Sequence, residues 1–223
     1  MSRPADPHSK SALVAAARAA FVAHGIGRAR IEDITSACGL SKGAFYLHFE
    51  SKEALFREVV SELSGLFEQL RRAREAAYRE VVATRRRRGA DYLRKISQLE
   101  AREDRRLLEL LWQWRDVIDV LMRGCQGTEF DGVMWQMLDV EVARVKLECD
   151  ALKQVGLVRD DVHGEVIGLM VVGTYMLVAR KLSQATEPPD FEALVQSLQE
   201  VLARGTRPPS RARKPVHTKR SAK

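Results

Sequence analysis

Between Gly39 and Ser51 the chain has room for one short helix and nothing more. The segment "CGLSKGAFYLHFESKEAL" (38–55) sets a glycine stop, a serine cap and a second serine cap within a few turns of one another. Gly39 adopts left-handed backbone at low cost, so it ends the short helix "RIEDITSACGL" that opens near Ile31. Glu32 and Asp33 lie in that helix's first turn, where the helix dipole favours negative charge. Ser41 is placed to cap the next helix, and Ser51 to cap a long one with the stripe Leu55, Phe56, Val59, Leu63, Leu66, Phe67, Leu70.

Two short helices joined by a tight Cys-Gly-Leu-Ser turn have the grammar of a helix-turn-helix, whose second helix enters the DNA major groove. The residues suit that task. Lys42 brings a cation to the helix start, and Gly43 and Ala44 are small enough for close approach to bases. Tyr46 and His48 carry polar tips on aromatic bodies, suited to phosphate or to a thymine methyl. Ser51 and Lys52 combine free backbone N–H groups with a positive charge, which together make a phosphate site. Ala44, Phe45 and Phe49 are expected to face inward.

In these residues the chain resembles the tetracycline-repressor (TetR) family of transcriptional regulators. The resemblance covers about Ser11 to Phe56 and rests on "AFVAHG", "IEDIT", "CGLSKGAFYLHF" and "SKEALF" in register. Carried over by position, it places Lys42, Gly43 and Ala44 nearest the bases and Tyr46, His48 and Lys52 on phosphates, with Ser41 opening the reading helix. Phe45 and Phe49 match core positions. The family usually has a threonine where Arg30 stands; here Arg28 and Arg30 offer charge in its place.

The rest of the chain reads as helix almost throughout, with only 7 prolines and 14 glycines in 223 residues. The expected fold is all-α: a flexible arm (1–8), a helix-turn-helix domain (9–56, motif 31–50), a larger helical domain (57–204) and a basic disordered tail (205–223). From Arg204 onward there are eight Lys or Arg and no acid, leaving 29 basic against 30 acidic residues elsewhere, so the net charge of +7 belongs to the tail. "MSRPADPHSK" has no apolar stretch, so no signal peptide is expected. The apolar run 166–179 is too short to span a bilayer and reads as a buried helix. A cytoplasmic protein is expected on these grounds, with its three cysteines reduced.

Residues 104–124 read as one central helix and 129–156 as another, ending at Gly156. For the family's second domain, which dimerises and senses ligand, two residue sets stand out. Gly164 and Gly168, four apart, permit close helix approach; with Val171 and Tyr175, and with Leu194, Leu198 and Val201 of the last helix, they make the expected homodimer face. Leu111, Trp114, Ile118, Met122, Met134, Met137 and Val145 offer an adaptable apolar pocket. Glu141 falls within the stripe Met134, Met137, Leu138, Val145, and Arg115 between Leu108, Leu111 and Met122. Charges there either pair with each other or face a ligand.

The expected function is a homodimeric repressor released from a palindromic operator by a small apolar or amphipathic effector, with no cofactor, metal or membrane partner. Two rivals predict differently. A sequence-tolerant DNA-coating protein would draw on Arg85–Arg88 and the tail. An enzyme finds little footing, since His8, His24, His48, His163 and His217 stand apart with no ligand or nucleophile motif.

Overall fold

The computed structural model describes residues 7–83 and 90–206, and every element among them is a helix. In chain order these are α1 (Pro7–Arg28), α2 (Ile31–Ala37), α3 (Lys42–Tyr46), α4 (Lys52–Ala83), α5 (Ala90–Gln113), α6 (Arg115–Arg123), α7 (Val133–Gln154), α8 (Gly164–Ser183) and α9 (Phe191–Thr206). The tail from 207, most of the amino-terminal arm and Arg85–Arg88 lie outside the described residues.

The first three helices close over Leu13, Ala17, Phe21, Ile34, Phe45 and Phe49, all buried. The start of α4 completes this core with Leu55, Phe56 and Val59. Phe56 meets Phe21 edge-on at 5.2 Å and, on its other side, Phe130 at 4.9 Å, so one aromatic ladder joins the amino-terminal helices to the loop before α7. Arg57 and Glu129 add a surface ion pair at 2.7 Å along the same seam.

Several boundaries differ from the sequence expectation. The polar stretch after Leu70 does not end α4, which continues to Ala83; at about 1.5 Å per residue its 32 residues span roughly 48 Å. α4 therefore runs unbroken through residue 56. Residues 104–124 form two helices, because Trp114 leaves helical geometry (φ −110°, ψ 16°) and resets the helical phase of α6. Gly132 turns the chain with φ +87°, so α7 starts at Val133 rather than near 129. Its other end falls close to Gly156, as expected.

The run read as a buried helix is buried on one face only. With its flanks it forms the 20-residue α8, which by length and mean hydropathy (1.5) could cross a membrane. Gly164, Gly168, Val172, Ala179 and Leu182 face inward. Val166, Leu169, Met170 and Leu177 are exposed.

Candidate nucleic-acid interface and effector cavity

Local chemistry builds the helix-turn-helix as the sequence implies. Ser41 Oγ accepts from the Ala44 N–H at 3.1 Å, and Ser51 Oγ from that of Ala54 at 3.0 Å. Gly39 has φ +69°, and the Leu40 N–H donates back to the Thr35 carbonyl at 2.9 Å. Thr35 is buried, and its hydroxyl donates to the Ile31 and Glu32 carbonyls, so it leaves no unmet polar group. Arg30 caps α2 by backbone conformation alone, without the side-chain bond a threonine would give.

Phe45 is fully buried and Phe49 nearly so, while Lys42, Gly43 and Tyr46 on the same short helix are exposed. Ala44 and His48 are intermediate. A Cβ at Gly43 would meet only Ser41 Oγ, at an ordinary 3.6 Å. Packing within the chain thus gives no reason for a glycine there. Leu47, 55% exposed beside Tyr46, belongs to the same outward surface and escaped the sequence reading. Its place off the Phe45–Phe49 core face was the available signal.

Two cations differ in standing from the rest of the expected set. Lys42 is exposed and forms an ion pair with Glu32 across the turn. Glu32 holds the lysine's pKa above its ordinary value, and Lys42 holds the glutamate's below. Lys52 is tied into the fold: its Nζ donates to the Gly27 and Ala29 carbonyls at 3.0 and 2.8 Å, two of its three donors. The end of α1 leaves those carbonyls without helical partners, and the ammonium supplies donors. Arg28 and Arg30 are exposed, with Arg28 Nε donating to the His24 carbonyl at 3.2 Å.

The larger domain carries a partly open cavity of about 380 Å³, within the range of drug-sized ligand sites. Leu111, Ile118, Met122, Met134, Met137, Glu141 and Val145 line it, as expected. Trp114 and Arg115 do not. The break at Trp114 turns both away: Arg115 stacks on Trp112 at 3.8 Å and donates to its carbonyl at 2.9 Å, and Trp114 lies under the Arg18 guanidinium. Of the two alternatives for these charges, an Arg115–glutamate pair is not formed among the described residues, and Arg115 does not face the cavity. Glu141 pairs instead with Arg144 (2.7 Å), which also bonds Glu148 (2.8 Å), at helical spacings of three and four.

The central cation is one the sequence reading missed. Arg74 of α4 reaches the cavity wall, its Nη1 donating to Asp104 at 3.1 Å with Glu148 3.8 Å from Nη2. Burial opposes its charge, but Glu148, Tyr78 and Asp104 hold its pKa well above the usual value. Its Nε is buried without a partner among the described residues. One turn on, the Tyr78 hydroxyl donates to Glu100 of α5 at 3.1 Å. Burial pushes the Glu100 carboxyl up, reinforced by the Glu148 and Asp104 charges. Positions 63, 67, 70, 74 and 78 keep helical spacing, which could have revealed Arg74 and Tyr78.

The residues of the expected dimer set differ in their surroundings within the chain. A Cβ at Gly168 would lie 2.7 Å from the Val142 carbonyl oxygen, and one at Gly164 would lie 3.2 Å from that of Lys146. Both glycines serve close packing of α8 on α7 within one subunit. Val171 and Tyr175 line the cavity, and Leu194 and Leu198 are half-buried. Only Val201 of that set, 70% exposed, stands on the outer surface with the apolar face of α8.

Comparison with known proteins finds similarity at two levels, in the amino-terminal segment and in the whole fold. The model described as "Bacterial regulatory proteins, tetR family" matches residues 13–59. The chain is 48% identical over 46 residues to the uncharacterized HTH-type transcriptional regulator YerO of Bacillus subtilis, a stretch covering 21% of this chain and 16% of that protein. It is 23% identical over 175 residues to the probable acrEF/envCD operon repressor of Escherichia coli K12, covering 75% of this chain and 72% of that one. In fold it is similar to SmeT of Stenotrophomonas maltophilia in its triclosan complex, at 17% identity and a TM-score of 0.55 over 97% of this chain and 100% of that one. Residues 13–59, the helix-turn-helix segment, thus match the tetR family of bacterial regulatory proteins, and the chain as a whole shares its fold with SmeT.

Proposed function

We propose that the chain is a ligand-responsive transcriptional repressor that binds a palindromic operator as a homodimer and leaves it when a small apolar or amphipathic effector fills the cavity. The observation that carries this reading is the continuity of α4. Its first turn is tied to α1 through Lys52 beside the reading helix, and its later turns place Arg74 and Tyr78 in the cavity wall. An effector that prefers one position of α4 therefore biases the spacing of the reading heads.

Lys42, Gly43 and Ala44 lie nearest the bases in this scheme, with the exposed Leu47 beside them, and Tyr46, His48, Lys52, Ser41, Arg28 and Arg30 lie toward the backbone. The dimer forms through the exposed Val166, Leu169, Met170 and Leu177 of α8 with Val201 of α9. A repressor of this kind works in the cytoplasm, and neither its binding nor its release calls for catalysis.

The test is selection of duplexes from a random pool at two salt concentrations. A two-fold-symmetric consensus that Tyr46→Ala no longer recovers supports the repressor. Recovery without sequence preference, governed by salt alone, would favour the DNA-coating protein.

A further inference from the structure

The cavity is apolar over most of its wall but carries unequal charge. Six acids (Glu68, Glu100, Glu103, Asp104, Glu141, Glu148) line it against three arginines (Arg71, Arg74, Arg144). Most of these charges are already matched. Glu68 holds Arg71 and Arg72, and Glu103 holds Arg102 and Arg106. Arg74 and Arg144 are shared among Asp104, Glu148 and Glu141.

Glu100 is the exception. Among the described residues it has no salt bridge, and its hydrogen-bond donor is the neutral Tyr78 hydroxyl. A half-buried carboxylate held only by a phenol is poorly stabilised. Burial, with Glu148 and Asp104 facing it, raises its pKa against the pull of Tyr78 and Arg74. A cation at this point would relieve all of that at once. An anion would meet Glu100, Asp104 and Glu148 together, and Arg74, its charge already matched, has only the neutral-acceptor position at Nε to offer.

We propose that Glu100, with Tyr78 beside it, seats the cationic head of an amphipathic effector whose apolar body lies along Leu107, Leu111, Met134 and Met137. The assignment rests on the repressor reading for its consequence, but the binding preference is measurable without DNA. A neutral oxygen next to the cation would meet Arg74 Nε.

Calorimetry on the full chain at pH 7 with decylammonium, decanol and decanoate tests this, because the three differ chiefly in head-group charge. Decylammonium is expected to bind about tenfold tighter than decanol, with decanoate weakest. Glu100→Gln, whose amide can still accept from Tyr78, should erase the preference while leaving decanol affinity within about twofold. Glu141→Gln, in an acid already paired with Arg144, should keep it. Equal or reversed preference, loss of preference in Glu141→Gln rather than Glu100→Gln, or failure of all three to bind would overturn the assignment. If the selected duplex is still bound specifically in those cases, the effector class falls and the DNA-binding reading stands. If decylammonium binds through Glu100 but leaves the duplex in place, the seat stands and ligand release from DNA falls.

Discussion

Arg18 of α1 grips Asp116 of α6 with two hydrogen bonds, Nε to Oδ2 at 2.7 Å and Nη2 to Oδ1 at 2.5 Å. The same guanidinium lies 4.7 Å from the Trp114 ring. A few turns along, the Ile26 N–H donates to the Gly124 carbonyl at 3.0 Å, closing the seam at the other end of α6. Because α6 also presents Ile118 and Met122 to the cavity, it touches the cavity on one face and α1 on the other.

Arg18→Ala is expected to destabilise the protein by about 1–2 kcal/mol, the range for a charge-assisted bidentate contact that is partly solvated. A double-mutant cycle with Asp116→Asn in urea should return most of that as coupling. Burial alone would raise the Asp116 pKa, but the bonds and charge of Arg18 lower it overall. A depressed carboxylate stabilises the fold above its ordinary pKa, near 4, and loses that contribution as pH falls through the lower folded value. Wild type should thus lose its advantage over Asp116→Asn in that acid range, and an advantage that persists below it would contradict the pairing.

Gly168→Ala should force α7 and α8 apart, because its Cβ would sit 2.7 Å from the Val142 carbonyl oxygen. Overpacking of this kind costs about 1–3 kcal/mol. Gly173→Ala, on the same helix with open space around it, should leave the thermal midpoint unchanged or raised. Equal effects at the two positions would refute the tight α7–α8 contact.

The outer surface of α8 predicts the assembly state. Met170→Arg with Leu177→Arg places charge on an exposed apolar face, so folding should survive while sedimentation shifts from dimer to monomer. An unchanged dimer would move the interface elsewhere.

On α3 the two aromatic neighbours should part company. Phe45→Ala empties a fully buried site and should cost about 3–5 kcal/mol. Tyr46→Ala, at a side chain 57% exposed, should leave stability nearly unchanged and cut operator affinity at least about tenfold. Lys42→Ala should weaken operator binding by about 1–3 kcal/mol and relax the sequence preference at the base pair it faces.

How much of the molecule was legible in its sequence depends on how local each determinant is. Ser41, Gly39, Ser51 and the Phe45–Phe49 pair act over a few residues, so the helix-turn-helix could be read directly. The cavity lining was legible where periodicity held, as at Met134, Met137 and Glu141. It failed at Arg115, because a break at Trp114 shifts the phase of every later position. Arg74, Tyr78 and Glu100 were hidden in and beyond a charged stretch that reads as solvated surface, and only the long reach of α4 brings them inside. The Gly164–Gly168 pair signalled a close helix neighbour truthfully, but spacing cannot say whether that neighbour belongs to the same chain. Lys52 shows the same gap: its charge was plain, and the carbonyls of Gly27 and Ala29 that occupy it were not.

The most direct measurement is nuclease footprinting on the DNA upstream of the chain's own coding sequence, with and without a panel of apolar and cationic small molecules. A ligand-controlled repressor predicts a protected, two-fold-symmetric site that at least one compound of the panel releases. Diffuse, strongly salt-sensitive protection with no symmetric site would contradict it, and with it the assignment of Lys42 to Leu47 as the base-reading surface.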